Sequence, residues 1–568
     1  MKTRLLPVLF LALGLTAASA GERPTGDKSK PGKFSGMSFE EFAAAIDDDF
    51  NDFRTAVIEN YAKWLDGEWE AFQPKMILKP EPRPKPEKAP VKSPAEPAPA
   101  VAPPPRPLKP TPRPDISVTA VPEGKLRPKT GIDPLVDRPS LATTPTLAPG
   151  GGIRPKKEKD PLPPVEETPV EQPSALVEQP SVPVEQPAAP VAKPVVPEAP
   201  KGPQDRVKFY GMEIDVPKLD FAITPSLKTT GDMARHWKTL DADKTVRKAA
   251  AMLQKKGEEM GLNGYLTYEL MRAYAESKFP DANAAAITSL THYLMANAGY
   301  DVRLAQTGAG VPLMLMPFDS AVYGISFITL DGKDYTVFVP SGFSQDDVNG
   351  AIYTARLPQG ESLGRVTSLE LQGLNLPEKP RSFDISAGPL HLKGTLNENL
   401  FPLVYRYPQM PTEGYASSVL MPGLRKELVA QVKDQLGSMK DRDAVNGMLE
   451  FFHRGLSYAT DQEYHGFEKP YFLEETLYYP KCDCEDRAIM MTYLLWEGLG
   501  LENQLLAYPG HESAAVRLSE PINGIGYTSG GKTYYSCDPT YIGSSVGDCM
   551  PAFRNESPTI DKTLPGAH

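Results

Sequence analysis

Tyr478–Gly500 reads YYPKCDCEDRAIMMTYLLWEGLG and carries two of the chain's four cysteines, Cys482 and Cys484. The stretch predicts a helix that opens near Cys484. Ala488, Met491, Leu494 and Leu495 share one face, and Gly498 and Gly500 end it. Pro480 limits any extension upstream. A cysteine at a helix N-terminus meets unpaired backbone N–H groups and the positive end of the macrodipole, both of which favour an anion. Such placement lowers a thiol pKa from about 8.5 towards neutrality. Glu485 and Asp486 suit a first helical turn, but their charges oppose a thiolate, so a histidine partner is needed to hold the ion pair.

Further along, YPGHESAAVRL opens a strand-type segment with His511, and GKTYYSCDPTY ends another with Asp538, stopped by Pro539. A cysteine on a helix followed by histidine and aspartate on successive strands is the order a thiol nucleophile needs. The imidazole takes the thiol proton, and the carboxylate fixes the tautomer and stabilises the imidazolium. The words DCEDRA, PGHESAAV and YYSCDPTYIG together resemble the transglutaminase-like superfamily of papain-like-fold cysteine enzymes, in particular its bacterial exported members. YATDQEYHGFEKPYFLEETLYYP, ahead of the cysteine, looks like the lead-in of the same relatives.

The resemblance covers residues 420–550. It implies an α+β domain whose cysteine helix packs on an antiparallel sheet, with Cys484 as nucleophile, His511 as general base and Asp538 as orienting acid. It implies acyl transfer through a thioester on a protein or peptide substrate, with hydrolysis of peptide or isopeptide bonds favoured over transamidation. Many family members carry Trp or another aromatic near the histidine, whereas Glu512, Ser513 and two alanines follow it here. The Cys484 backbone N–H is a geometric candidate for the oxyanion donor, and Tyr458 for a second. No cofactor is expected. The superfamily includes calcium-dependent members, and with no calcium-loop motif in the chain calcium stays open.

Other readings of the cysteines compete. Zinc would draw on Cys482 and Cys484 with Cys537 and Cys549, but the second end lacks closely paired ligands. Exported chains often carry disulfides, and Cys482 with Cys549 or Cys537 is a candidate bridge. A different class of function is a binding or scaffold protein of the cell envelope that keeps the fold without turnover.

Residues 1–20, MKTRLLPVLFLALGLTAASA, read as an export signal: basic Lys2 and Arg4, an apolar run, then Ala18-Ser19-Ala20. A periplasmic or secreted bacterial protein is expected, with no transmembrane segment in the mature chain. The formal net charge of −11 argues against nucleic acid as a partner. Residues 38–73 predict one long amphipathic helix, its aromatic stripe running from Phe39 through Tyr61 and Trp64 to Phe72, which must dock, self-associate or bind a partner. Residues 74–204 hold much of the chain's 61 prolines and repeat VEQP three times, the composition of a disordered polyproline spacer.

Two globular α+β regions follow, 205–375 and 376–568. The first shows helices over 233–300 and a hairpin at Asp331-Gly332. NAAAITSLTHYLMANAGYDVRLAQ runs parallel to the cysteine helix at constant offset, Asn283 opposite Cys484 and Gly299 opposite Gly500, with Tyr335 near Tyr534 and Val339 in the place of Asp538. The first region is therefore expected to be a degenerate copy of the second, without its chemistry.

Overall fold

The computed structural model describes residues 60–79, 89, 202–357 and 364–565, with the backbone at 116–117 and 125–126. The export signal and residues 38–59 of the expected helix lie outside the described residues. Residues 60–65 are helical, but the helix does not reach 73. It stops at Asp66-Gly67, and the chain enters β1 (Trp69–Phe72). Pairing decides this: β1 lies antiparallel to a strand of the first globular region, Trp69 opposite Ala355, so its peptide groups join a ladder. Tyr61, Leu65 and Trp69 are buried. The Tyr61 ring lies 4.8 Å from His292, and its hydroxyl accepts the Leu304 amide at 3.1 Å. This part of the aromatic stripe docks on its own chain.

Strand β2 (Lys75–Met76) and the backbone strands β3 (Ile116–Ser117) and β4 (Lys125–Leu126) join the same sheet. The expected spacer at 74–204 therefore contributes to the fold, because these short pieces contain no proline and can still donate to a sheet edge.

The first half opens with a hairpin, β5 (Gln204–Phe209) and β6 (Met212–Pro217), whose alternating burial turns Met212, Ile214 and Val216 inward. Helices α1 (Thr230–Ala242), α2 (Lys244–Glu259), α3 (Gly264–Lys278) and α4 (Ala284–Asn297) follow. Asn283 caps α4 by accepting the Ala286 amide. Helix α4 is alanine-rich and buried nearly all round, lying between α1–α3 and the strands β7 (Arg303–Thr307) and β8 (Pro312–Pro317). Then come β9 (Ser326–Leu330), β10 (Lys333–Phe338) and β11 (Ile352–Ala355). The β9–β10 turn is Asp331-Gly332, φ 50° and 80°, as a two-residue hairpin requires.

The second half also opens with a hairpin, β12 (Pro380–Ala387) and β13 (Leu390–Asn397). Two short helices, α5 (Leu400–Tyr405) and α6 (Thr412–Ser417), precede α7 (Pro422–Leu436) and α8 (Asp441–Gly455), which pack on the hairpin. Next come β14 (Ser457–Tyr458), α9 (Asp461–Tyr464), α10 (Leu473–Tyr478), β15 (Lys481–Cys482) and α11 (Cys484–Tyr493). Five strands close the chain: β16 (Asn503–Tyr508), β17 (His511–Val516), β18 (Gly526–Ser529), β19 (Lys532–Ser536) and β20 (Thr559–Leu564).

The two sheets share one plan. The first runs β9-β10-β8-β7-β11 and the second β18-β19-β17-β16-β20, each strand in the same serial place, with the arm strands β1–β4 added at the first sheet's edges. Registers agree as well. Leu304 faces Met314 as Leu505 faces Ala514, and Leu315 faces Val337 as Ala515 faces Ser536. Helix α11 lies on β16 and β17 as α4 lies on β7 and β8.

One detail of the expected alignment changes. Asn283 takes the N-cap place of Asp483, so Ala284, not Asn283, stands opposite Cys484. The extra residue is absorbed in a π-turn at Leu494–Gly498, after which Gly299 and Gly500 end both helices at positive φ.

Candidate active site

Three elements meet at the start of α11. Asp483 is its extended N-cap and its own amide donates to Asp486 Oδ2 at 3.0 Å, so Cys484 becomes the first helical residue. Parallel pairing of β14 with β15 sets Tyr458 beside Cys482, near enough to Cys484 that the sulfur's charge helps burial raise the tyrosine pKa. Arg487, fully buried one turn into α11, donates to Leu456 O at 2.9 Å, Pro539 O at 3.3 Å and Cys482 Sγ at 3.4 Å. It thus ties the helix to β14 on one side and to the turn after Asp538 on the other.

His511 begins β17 after the Pro509-Gly510 turn, directly opposite Tyr508. The Cys537 amide donates to Ala514 O at 2.9 Å, which extends the β19 ladder and delivers Asp538 to the ring. Asp538 Oδ2 lies 2.7 Å from His511 Nε2, while its Oδ1 accepts the Thr540 amide at 2.8 Å. Nδ1 makes no other hydrogen bond among the described residues, and the Cys484 sulfur is the ring's remaining partner. Burial disfavours a charged ring here, but the Asp538 carboxylate and the Cys484 sulfur hold the His511 pKa well above the usual histidine value. The structure therefore brings together all three residues singled out in the sequence. Cys484, His511 and Asp538 are each at most 3% exposed.

The aromatic expected near the histidine comes from elsewhere in the chain. Phe553 stacks on His511 at 5.0 Å with the planes 7° apart. Glu512 turns away and accepts from Thr412 Oγ1 at 3.2 Å. Neither Phe553 nor Arg487 was legible beforehand. Phe553 is distant in sequence, and Arg487 carried the weaker signal of a basic residue in a helix turn that favours acids.

The other thiols differ from Cys484. None of the four cysteines is in a disulfide, so the candidate bridge from Cys482 to Cys537 or Cys549 does not form. Cys482 and Cys537 are buried in the main core instead, and Cys549 in a smaller apolar cluster. Burial pushes Cys482 up to about 11 and Cys549 up to about 12, and raises Cys537 well above its ordinary value.

Acids crowd the helix start. Asp461, Asp483 and Asp486 converge within 4.8 Å, and burial with the charge of neighbouring carboxylates, Glu485 in each case, raises all three, Asp486 to about 8. Backbone amides of Lys469 and Tyr471 donate to Asp461 and Asp486. Glu485 Oε2 lies 3.5 Å from Cys484 Sγ. No helix among the described residues is long and apolar enough to cross a membrane. Comparison with known families, with curated proteins and with solved structures gives no match.

Proposed function

We propose that the second half is a transglutaminase-like, thiol-dependent acyl-transfer enzyme of the exported class, acting on peptide or isopeptide bonds. The observation that carries this is His511, buried with one nitrogen on Asp538 and the other left to a sulfur at a helix N-terminus. Cys484 gives its proton to His511, and the thiolate attacks a carbonyl carbon. The tetrahedral oxyanion is met by the Cys484 backbone N–H and the Tyr458 hydroxyl. His511 then protonates the departing amine, leaving a thioester. Water, deprotonated by the neutral imidazole, attacks that thioester, and the proton returns to sulfur as the acid leaves. An amine in place of water completes transamidation. Asp538 holds the ring's tautomer throughout.

A second reading has its own support. Cys484 has no exposure, so substrate needs the site to open. The first half, on this account a degenerate copy, keeps the plan without the chemistry. A scaffold would therefore share the fold without turnover.

An activated ester separates the two without knowledge of the natural substrate. With p-nitrophenyl acetate the enzyme releases a burst of about one nitrophenol per chain and carries one acetyl group on Cys484. Cys484→Ala abolishes both. Absence of burst and adduct in the native chain would favour the scaffold.

A further inference from the structure

The amino-terminal arm reaches the active-site corner from the other half of the molecule. Strands β1 and β2 fix it to the first sheet, and Ile77 bridges to Tyr323. Two residues on, Lys79 Nζ lies 3.2 Å from Glu485 Oε1 and 2.8 Å from Glu468 Oε1. The Lys79 side chain is 10% exposed and that of Glu485 is 0% exposed. The other Glu485 oxygen is the one beside Cys484 Sγ.

This geometry poses an electrostatic question. A buried carboxylate touching the thiol both opposes a thiolate and competes with His511 for its proton. The groups facing this corner are His511 from β17 with Asp538 behind it, Tyr458 from β14, Asp483 at the N-cap and Glu485 and Asp486 in the first turn of α11, Asp461 opening α9, Glu468 from the loop after α9, and Lys79 from the arm. The nearby guanidinium of Arg487 is spent on two carbonyls and Cys482. Acids outnumber bases, and the cation beside Glu485 comes from outside the catalytic half.

We infer that Lys79 is a positioning residue of the acyl-transfer site: its ion pair with Glu485 offsets the charge opposing the Cys484 thiolate and weakens that carboxylate's competition for the thiol proton. The catalytic corner is then completed by the arm, which joins both halves. The inference rests on the thiolate–imidazolium reading proposed above.

The test is iodoacetamide alkylation of Cys484 in the full chain, mapped by peptide mass between about pH 5 and pH 9, with a thermal melt of each variant. Lys79→Met should raise the pH midpoint by about one unit and slow labelling near pH 6 about tenfold. Lys79→Arg should match the native chain. In a Glu485→Gln background Lys79→Met should shift the midpoint clearly less than in the native chain, and Glu485→Gln alone should lower the midpoint. A Lys79→Met profile equal to native, with His511→Ala still losing its low-pH labelling, overturns the inference and spares the site. An equal shift in the Glu485→Gln background would reduce Lys79 to arm docking and also overturn it. If Lys79→Met does not fold, an unchanged or raised midpoint in Glu485→Gln decides against the inference. No low-pH labelling in the native chain defeats the catalytic reading itself.

Discussion

The first and second halves thread the same five strands in the same order behind the same kind of buried helix, yet only the second carries cysteine, histidine and aspartate at the matched places. The ladders make the comparison residue by residue. Leu315 pairs with Val337 as Ala515 pairs with Ser536. Counting four back and two on, Val311 stands where His511 does and Val339 where Asp538 does. Ala284 stands where Cys484 does. In the first half Val311 and Val339 belong to one buried apolar cluster, with Ala284 packed against it. The plan thus brings three positions together regardless of chemistry. Polar residues there give a buried hydrogen-bonded cluster, whereas small aliphatic ones give core. What separates the halves is how the corner is satisfied: dispersion and apolar burial in one, charge and hydrogen bonds in the other.

Changes at matched positions sharpen that contrast. Asp538→Asn should keep the fold but lose the ring's orientation, lowering the acetyl-burst rate about a thousandfold, while Val339→Ala leaves the burst unchanged. Stopped-flow release of nitrophenol reads both. The converse substitution, Val339→Asp, buries a carboxylate among aliphatic side chains. It should cost about 3 kcal/mol in a urea melt without adding any activity. Equal stability for Val339→Asp would break the comparison, because the corner would then tolerate charge in either half.

A pH-dependent effect concerns the acids around α11. Burial, with the charge of Glu485, raises Asp486 to about 8, against about 3.9 for an unfolded chain. The folded state keeps a proton that the unfolded state releases. Stability from this group is complete below about pH 4 and is lost as pH rises through about 8, at no more than about 1.4 kcal/mol per unit. Asp461 and Asp483 act in the same direction. Asp486→Asn should therefore flatten, without abolishing, the fall in urea midpoint between about pH 5 and pH 8.

Much of the catalytic corner was legible because its residues sit where local rules are strong. Pro480 and the acidic first turn set the helix start at Cys484, and His511 and Asp538 each border a strand with a turn signal. The Asp331-Gly332 hairpin followed for the same reason. Less legible were features that depend on partners far along the chain. Trp69–Phe72 keeps helical spacing, yet pairs with β11 once Ala355 is opposite Trp69. Phe553 and Lys79 reach the site only through tertiary packing. The shift of Asn283 from the place of Cys484 to that of Asp483 depends on a π-turn, and periodicity does not distinguish that from one more α-helical step.

A thiolate–imidazolium pair in the second half, where the first holds core, would show most directly in the charge of His511. In a chain labelled with nitrogen-15 only at histidine, the His511 ring is identified by its loss in His511→Gln. Both ring nitrogens should stay protonated well above the usual histidine range, with the midpoint falling in Cys484→Ala as the sulfur's charge disappears. A neutral His511 ring at about pH 7 that is indifferent to Cys484→Ala would contradict it.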